Sequence, residues 1–165
     1  MTPDASSTEA SELVTLAGQN HFSVFFCHES SSPGGLVLFV SHSFLSRCHQ
    51  VWAFSSPDSR FQTILFNTNQ GLLQIHNVYL DPGHVPTRVS QIQSLPASLA
   101  PTGTTYILGD FNFVASSRDR VLIGPSPGAL RYGQADSPET DAWLASLPSF
   151  SKLWQPDYTF QRSTR

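Results

Sequence analysis

Tyr106-Ile107-Leu108-Gly109-Asp110-Phe111-Asn112-Phe113 is a short apolar run that passes straight into Gly-Asp-aromatic-Asn. Thr105 to Leu108 reads as a strand. It follows a segment, Arg88 to Leu99, whose Val89, Ile92, Leu95 and Leu99 recur at helical spacing despite Pro96. Before that helix stand Phe61 to Asn67 and Leu72 to Tyr79, separated by Thr68-Asn69-Gln70-Gly71. The pattern predicts a hairpin, with Asn and Gly positioned for φ > 0. Hairpins, then a helix, then a return strand place the chain in the α+β (mixed α/β) class. In an extended chain Asp110 and Asn112, two apart, point to the same side. Asp accepts hydrogen bonds, whereas Asn both donates and accepts. Together they suit the holding of a water or a phosphate oxygen. Gly109 permits a sharp backbone exit and close approach of a ligand. The competing reading is a strand followed by an Asx-type turn, since both residues favour turns in any context.

Further segments extend the pattern in both directions. Thr8 to Ala17 predicts a helix, with Ser7 or Thr8 as its cap and Gly18 as its stop. Residues 1–7 are small and polar and read as disordered. His21 to Cys27 and Gly35 to Val40 predict strands on either side of the turn Ser30-Ser31-Ser32-Pro33-Gly34, and Val51 to Phe54 a third. Asp81-Pro82-Gly83-His84 is a turn, and residues 121–136 read as an irregular Gly- and Pro-rich loop. Ser137-Pro138-Glu139 opens a helix running to about Leu147, and Trp154 to Phe160 predicts a last strand. The expected core is Val37, Phe39, Ile64, Phe66, Ile75, Val78, Ile107 and Leu108. Residues 1–18 form a disordered start and short helix, and 19–165 form one domain.

Bulk properties narrow the function classes. A chain of 165 residues with 39% hydrophobic content and 12 Phe is long and apolar enough to bury a core. Charged residues make up 13%, and the formal net charge is -3. No basic tail or stripe points to strong non-specific nucleic-acid binding. An acidic site remains compatible with phosphate binding, because a divalent cation offsets carboxylates. Cys27 and Cys48 fit neither a zinc pattern nor a disulfide scaffold. No stretch reaches the ~18 apolar residues needed to span a bilayer, and no signal peptide is visible. An intracellular protein, nuclear or cytoplasmic, is expected.

Five motifs fall in an order that resembles one family. They are Gly34-Gly35 leading through Val40-Ser41, Asn77-Val78-Tyr79, Gly109-Asp110-Phe111-Asn112, Asp119-Arg120 and Tyr158-Thr159-Phe160. The run, over about residues 20 to 160, resembles the endonuclease/exonuclease/phosphatase superfamily. It is most similar to the apurinic-endonuclease-like domain of non-LTR retrotransposon polyproteins. The resemblance implies a four-layer α/β sandwich with two facing β-sheets, incomplete here. It also implies Mg²⁺-dependent cleavage of a DNA phosphodiester. Asp110 and Asn112 then position the attacking water and the scissile phosphate. Tyr79 contacts the phosphate, and Asn77 is a second substrate-binding candidate whose competing reading is a strand-end hydrogen bond. Asp119 braces the loop after Asn112.

The departures from the family are equally specific. The family's Tyr-x-Pro-Asn is replaced by Tyr79-Leu80-Asp81-Pro82-Gly83. The metal-binding Glu of a Gln-Glu-x-His strand has no counterpart, with Asp4 a weak substitute, so the metal ligand is unknown. No Ser-Asp-His follows Tyr158-Thr159-Phe160, and the six histidines all precede that point. The resemblance therefore implies a truncated endonuclease domain with weak stability and little or no turnover. The alternatives are a non-enzymatic relic or binding fragment, or a phosphatase branch of the same superfamily.

Overall fold

The computed structural model describes residues 5–27, 35–95, 103–116, 121–123 and 130–153. The chain divides into two compact units, Met1–Tyr79 with Leu99–Asp110, and Leu80–Ser98 with Phe111–Arg165.

The first unit begins with α1 (Ala5–Gln19), β1 (Phe22–Cys27), β2 (Leu36–Ser41) and the single turn α2 (His42–Leu45). It continues with β3 (Cys48–Ser55), β4 (Phe61–Thr68), β5 (Gly71–Tyr79) and β6 (Thr104–Asp110). Helix α1 is longer than the sequence predicts and includes Ala5 to Ser7, which were expected to be disordered. Strand β3 likewise exceeds the predicted Val51 to Phe54. α2 follows from a local cap: the Ser41 hydroxyl accepts the Phe44 N–H at 3.3 Å.

β1 and β2 pair antiparallel, while β3-β4-β5-β6 form one sheet. The β4–β5 hairpin turns as predicted, with Gly71 at φ 111, though Asn69 is not left-handed. β6 returns parallel to β5, with Ile75 opposite Tyr106 and Tyr79 opposite Asp110. A parallel return needs a long crossover, which the intervening residues 80–103 supply.

The core lies between the two sheets of this unit. Val40, Ile64 and Phe66 are buried there, with Phe25, Leu38, Phe44, Val51, Leu73 and Ile75 packed around them. Both Phe25 and Phe44 meet the Phe66 ring edge-on, at centroid distances of 6.4 and 5.1 Å. Ile64, Phe66 and Val78 are fully buried as expected, and Ile75 and Ile107 are half-buried. Val37, Phe39 and Leu108 are corrections: they are 38%, 47% and 37% exposed. On β2 the buried residues are Leu36 and Val40, so alternation puts 36, 38 and 40 inward and 37 and 39 outward. Leu108 lies on β6, at the end of the strand order, where no further described strand continues the sheet.

The second unit holds α3 (Val85–Ser94), β7 (Val121–Ile123), β8 (Leu130–Tyr132) and α4 (Ser137–Ser146). α3 starts three residues before the predicted Arg88, because Pro86 suits a first helical turn. α4 opens as predicted, with Pro138 in its first turn. Within the expected loop, β7 and β8 pair antiparallel, Leu122 opposite Arg131. That loop was predicted because its Gly and Pro content masks two three-residue runs too short to show a period. The predicted strand at 154–160, Asp119 and Asp4 lie outside the described residues.

α3 and α4 are joined by an ion pair inside the second unit. Arg88 Nη2 stands 2.6 Å from Glu139 Oε1, and Nε donates to the same oxygen at 2.8 Å. Both residues are buried. Among the described residues, no helix is long and apolar enough to cross a membrane.

Candidate functional site

Tyr79 and Asp110 end β5 and β6 side by side in parallel register. Residues in register project to the same face of a sheet. The face is that of Gln62, Asn77 and Leu108, one row earlier, which are also in register. Asp110 is exposed and Tyr79 half-buried, so the strand end presents a carboxylate next to a phenol. Both residues belong to the first unit.

Gly109, just before, has φ 133. A Cβ at this position would run into the Val78 backbone carbonyl oxygen and the Val78 backbone nitrogen. The sequence predicted that glycine here serves a sharp exit and a ligand's approach. The close neighbour is instead the adjoining strand, which comes so near the Gly109 backbone that a side chain there has no room, while Asp110 keeps its ladder position opposite Tyr79.

Asn77, one of the candidate substrate contacts, is 6% exposed. Its Nδ2 donates to the Val37 carbonyl at 3.2 Å and to Gln62 Oε1 at 3.4 Å. These bonds tie β5 to β2 and β4, the strand-bonding role that was its competing reading. His76 is fully buried on the opposite face, with Nδ1 2.9 Å from the Thr63 hydroxyl.

Arg60 was missed by sequence reasoning. It directly precedes β4, and its carbonyl accepts the Tyr79 N–H at 2.9 Å. The guanidinium carbon lies 4.8 Å from the Tyr79 ring centroid, within cation–π range. Its Nη1 is buried and meets no hydrogen-bond acceptor among the described residues. Gln62 Nε2, two residues on, is buried and unmatched in the same sense. The signal available in the sequence was the alternation Arg60, Gln62, Ile64, which puts all three on one face.

In the second unit Asn112 is left-handed, with φ 50, and its Nδ2 donates to the Leu80 carbonyl at 2.8 Å. The same-side argument for Asp110 and Asn112 assumed an extended chain. That premise does not hold at this point: β6 stops at Asp110, and Asn112 is left-handed rather than extended. Asp81 closes a turn: its Oδ1 accepts the N–H groups of Gly83 at 2.9 Å and His84 at 2.7 Å. Asp136 accepts the Val114 N–H at 2.9 Å. Phe111, Phe113 and Trp143 form a ring cluster, with Phe111 and Trp143 edge-to-face at 5.3 Å.

The family resemblance implies Mg²⁺. Among the described residues no three His, Cys, Asp or Glu side chains come together as a metal site. Asp81, the extra carboxylate of its loop, already caps a turn. The described residues by themselves therefore offer no ready set of ligands for the ion.

In comparisons with known proteins, no family profile matches the sequence and no curated protein matches it.

Proposed function

We propose that this chain is part of a phosphodiester-cleaving domain of the endonuclease/exonuclease/phosphatase type, with DNA as its substrate. In this reading the 165 residues hold the phosphate-facing centre of the site and do not turn over DNA alone. One observation carries the proposal. Asn-Val-Tyr and Gly-Asp-Phe-Asn lie at the ends of adjacent parallel strands, with Tyr79 opposite Asp110, 31 residues later. A phenol and a carboxylate at neighbouring strand ends suit a phosphodiester and its attacking water: the hydroxyl donates to a phosphate oxygen, and the carboxylate accepts from the water.

Orientation dominates such chemistry, since about 1 Å of misplacement can cost ~10²-fold in rate. Asn77, bonded to Val37 and Gln62, supports the strands rather than the substrate in this reading. Asn112, bonded to Leu80, braces the segment after Asp110.

The test is a Mg²⁺-dependent plasmid-nicking assay. The 165-residue chain is expected to nick no faster than background, and Asp110→Ala changes nothing. A longer protein that adds Gln-Glu-x-His and Ser-Asp-His segments is expected to nick, and Asp110→Ala abolishes that activity. A longer protein that stays inert, or that nicks equally well as Asp110→Ala, refutes the proposal. Nicking by the 165-residue chain that disappears in Asp110→Ala refutes the claim that it does not turn over.

A further inference from the structure

We propose that Arg60 is the phosphate-binding cation at this strand end, presented by the Tyr79 ring to a phosphodiester oxyanion. The inference rests on the reading of Tyr79 and Asp110 as a phosphodiester site, and it adds a residue that none of the five motifs contains.

Three observations carry it. The first is placement: Arg60 stands before β4 on the face that carries Gln62, and its carbonyl bonds the Tyr79 N–H, so it occupies the row of Tyr79 and Asp110. The second is stacking. With its central carbon 4.8 Å from the Tyr79 centroid, the guanidinium is held over the ring by a cation–π contact, which supplies no oxygen acceptor for its N–H groups. The third is an unmet need. Nη1 is buried without an acceptor among the described residues, and burying a charged donor unmatched is costly. Asp58, two residues earlier, accepts the Ser56 hydroxyl at 2.6 Å and the Arg60 backbone N–H at 3.2 Å, and among the described residues the ion pair that is seen is Arg88–Glu139, not one to Arg60. Arg88 makes the contrast, its charge matched inside the protein by Glu139.

The acceptor that matches a guanidinium's fork of N–H donors is an oxyanion with two oxygens, and a phosphodiester offers its non-bridging pair; Arg60 as a whole is half-buried, so the side chain is not sealed from solvent although Nη1 is covered. Asp110, on the far side of Tyr79 in the same row, adds a negative charge that disfavours a dianion more than a monoanion, so the monoanionic diester is a better match than a phosphomonoester. Lysine cannot reproduce the contact, because an ammonium neither stacks flat nor bonds bidentately.

The experiment is a ¹⁵N NMR titration of the full 165-residue chain with diethyl phosphate at low ionic strength, reading the arginine Nε–Hε signals to locate binding and the backbone amide signals of β4, β5 and β6 to give the affinity in every variant. The signal lost in Arg60→Lys identifies Arg60. That signal is expected to shift saturably, and the affinity to fall at least threefold in Arg60→Lys and about tenfold in Arg60→Ala. Arg60→Lys keeps a cation and the side-chain length, so the test stands if Arg60→Ala does not fold. An unshifted Arg60 signal, or equal affinity in Arg60→Lys, overturns the proposal. The assay reads no hydrolysis. Arg60-dependent binding alongside an inert flank-extended protein therefore upholds this site and refutes the cleavage reading. Arg60-independent binding alongside Asp110-dependent nicking does the reverse.

Discussion

Removing the carboxylate of Glu139 is expected to destabilise the protein more than any surface change. Glu139→Leu leaves the Arg88 guanidinium, 9% exposed, without the oxygen that accepts from both Nε and Nη2. Breaking one side of a buried ion pair costs about 3–5 kcal/mol, because the remaining charge stays desolvated. Arg88 Nη1 keeps its bond to the Asp81 carbonyl at 2.9 Å, which places the expectation at the lower end, about 3 kcal/mol. Against a total of about 5–15 kcal/mol for a typical domain, that is a large fraction. At roughly 2–4 °C per kcal/mol for a chain of this size, the midpoint falls by about 6–12 °C. The assay is urea and thermal unfolding followed by fluorescence and circular dichroism. The double variant Arg88→Met/Glu139→Leu removes both charges and is expected to recover to within about 1 kcal/mol of the parent. Raising salt from 0.1 to 1 M is expected to change the single-variant deficit little, since buried pairs are weakly screened. A Glu139→Leu deficit below about 1 kcal/mol, the range of exposed pairs, would refute the reasoning.

Two more outcomes follow from the same geometry. Gly109→Ala is expected to cost at least about 1–3 kcal/mol in unfolding experiments, from strain at φ 133 alone, with the Val78 clash adding to it. A neutral Gly109→Ala would show that β6 relaxes freely. The Cys48 thiol, with its pKa pushed up from the usual 9.0 by burial against a smaller opposing effect of Arg47, is expected to alkylate slowly. A raised folded pKa favours the protonated thiol, so this contribution to stability is full below about pH 9 and is lost as the pH climbs through the higher folded value. Thiol titration at pH 8 should release Cys48 rapidly only on unfolding, and a fast native reaction would contradict it.

The sequence by itself determined where most of the first unit's strands lie and which residue types end them, but not β7 and β8, which fall within the expected loop. Alternation and turn chemistry are local, so β1, β2, β4, β5 and β6 were legible to within a few residues, as was the α4 start at Ser137-Pro138. Leu36 to Val40 is apolar at every position, so period two supplied no phase, and only packing against Ile64 and Phe66 decided that 36, 38 and 40 face inward. The candidate site was half legible. Tyr79 and Asp110 could be named from motifs, but their pairing is a parallel ladder between segments 31 residues apart, which depends on the crossover. Asn112 could be named too, while its left-handed backbone and its bond to Leu80 could not. The two arginines make the division plain. Arg60 and Arg88 carry the same charge in the sequence. Tertiary structure buries one against Glu139, 51 residues away, and lays the other on a tyrosine ring, because long-range contacts set the solvation and partners of a charge.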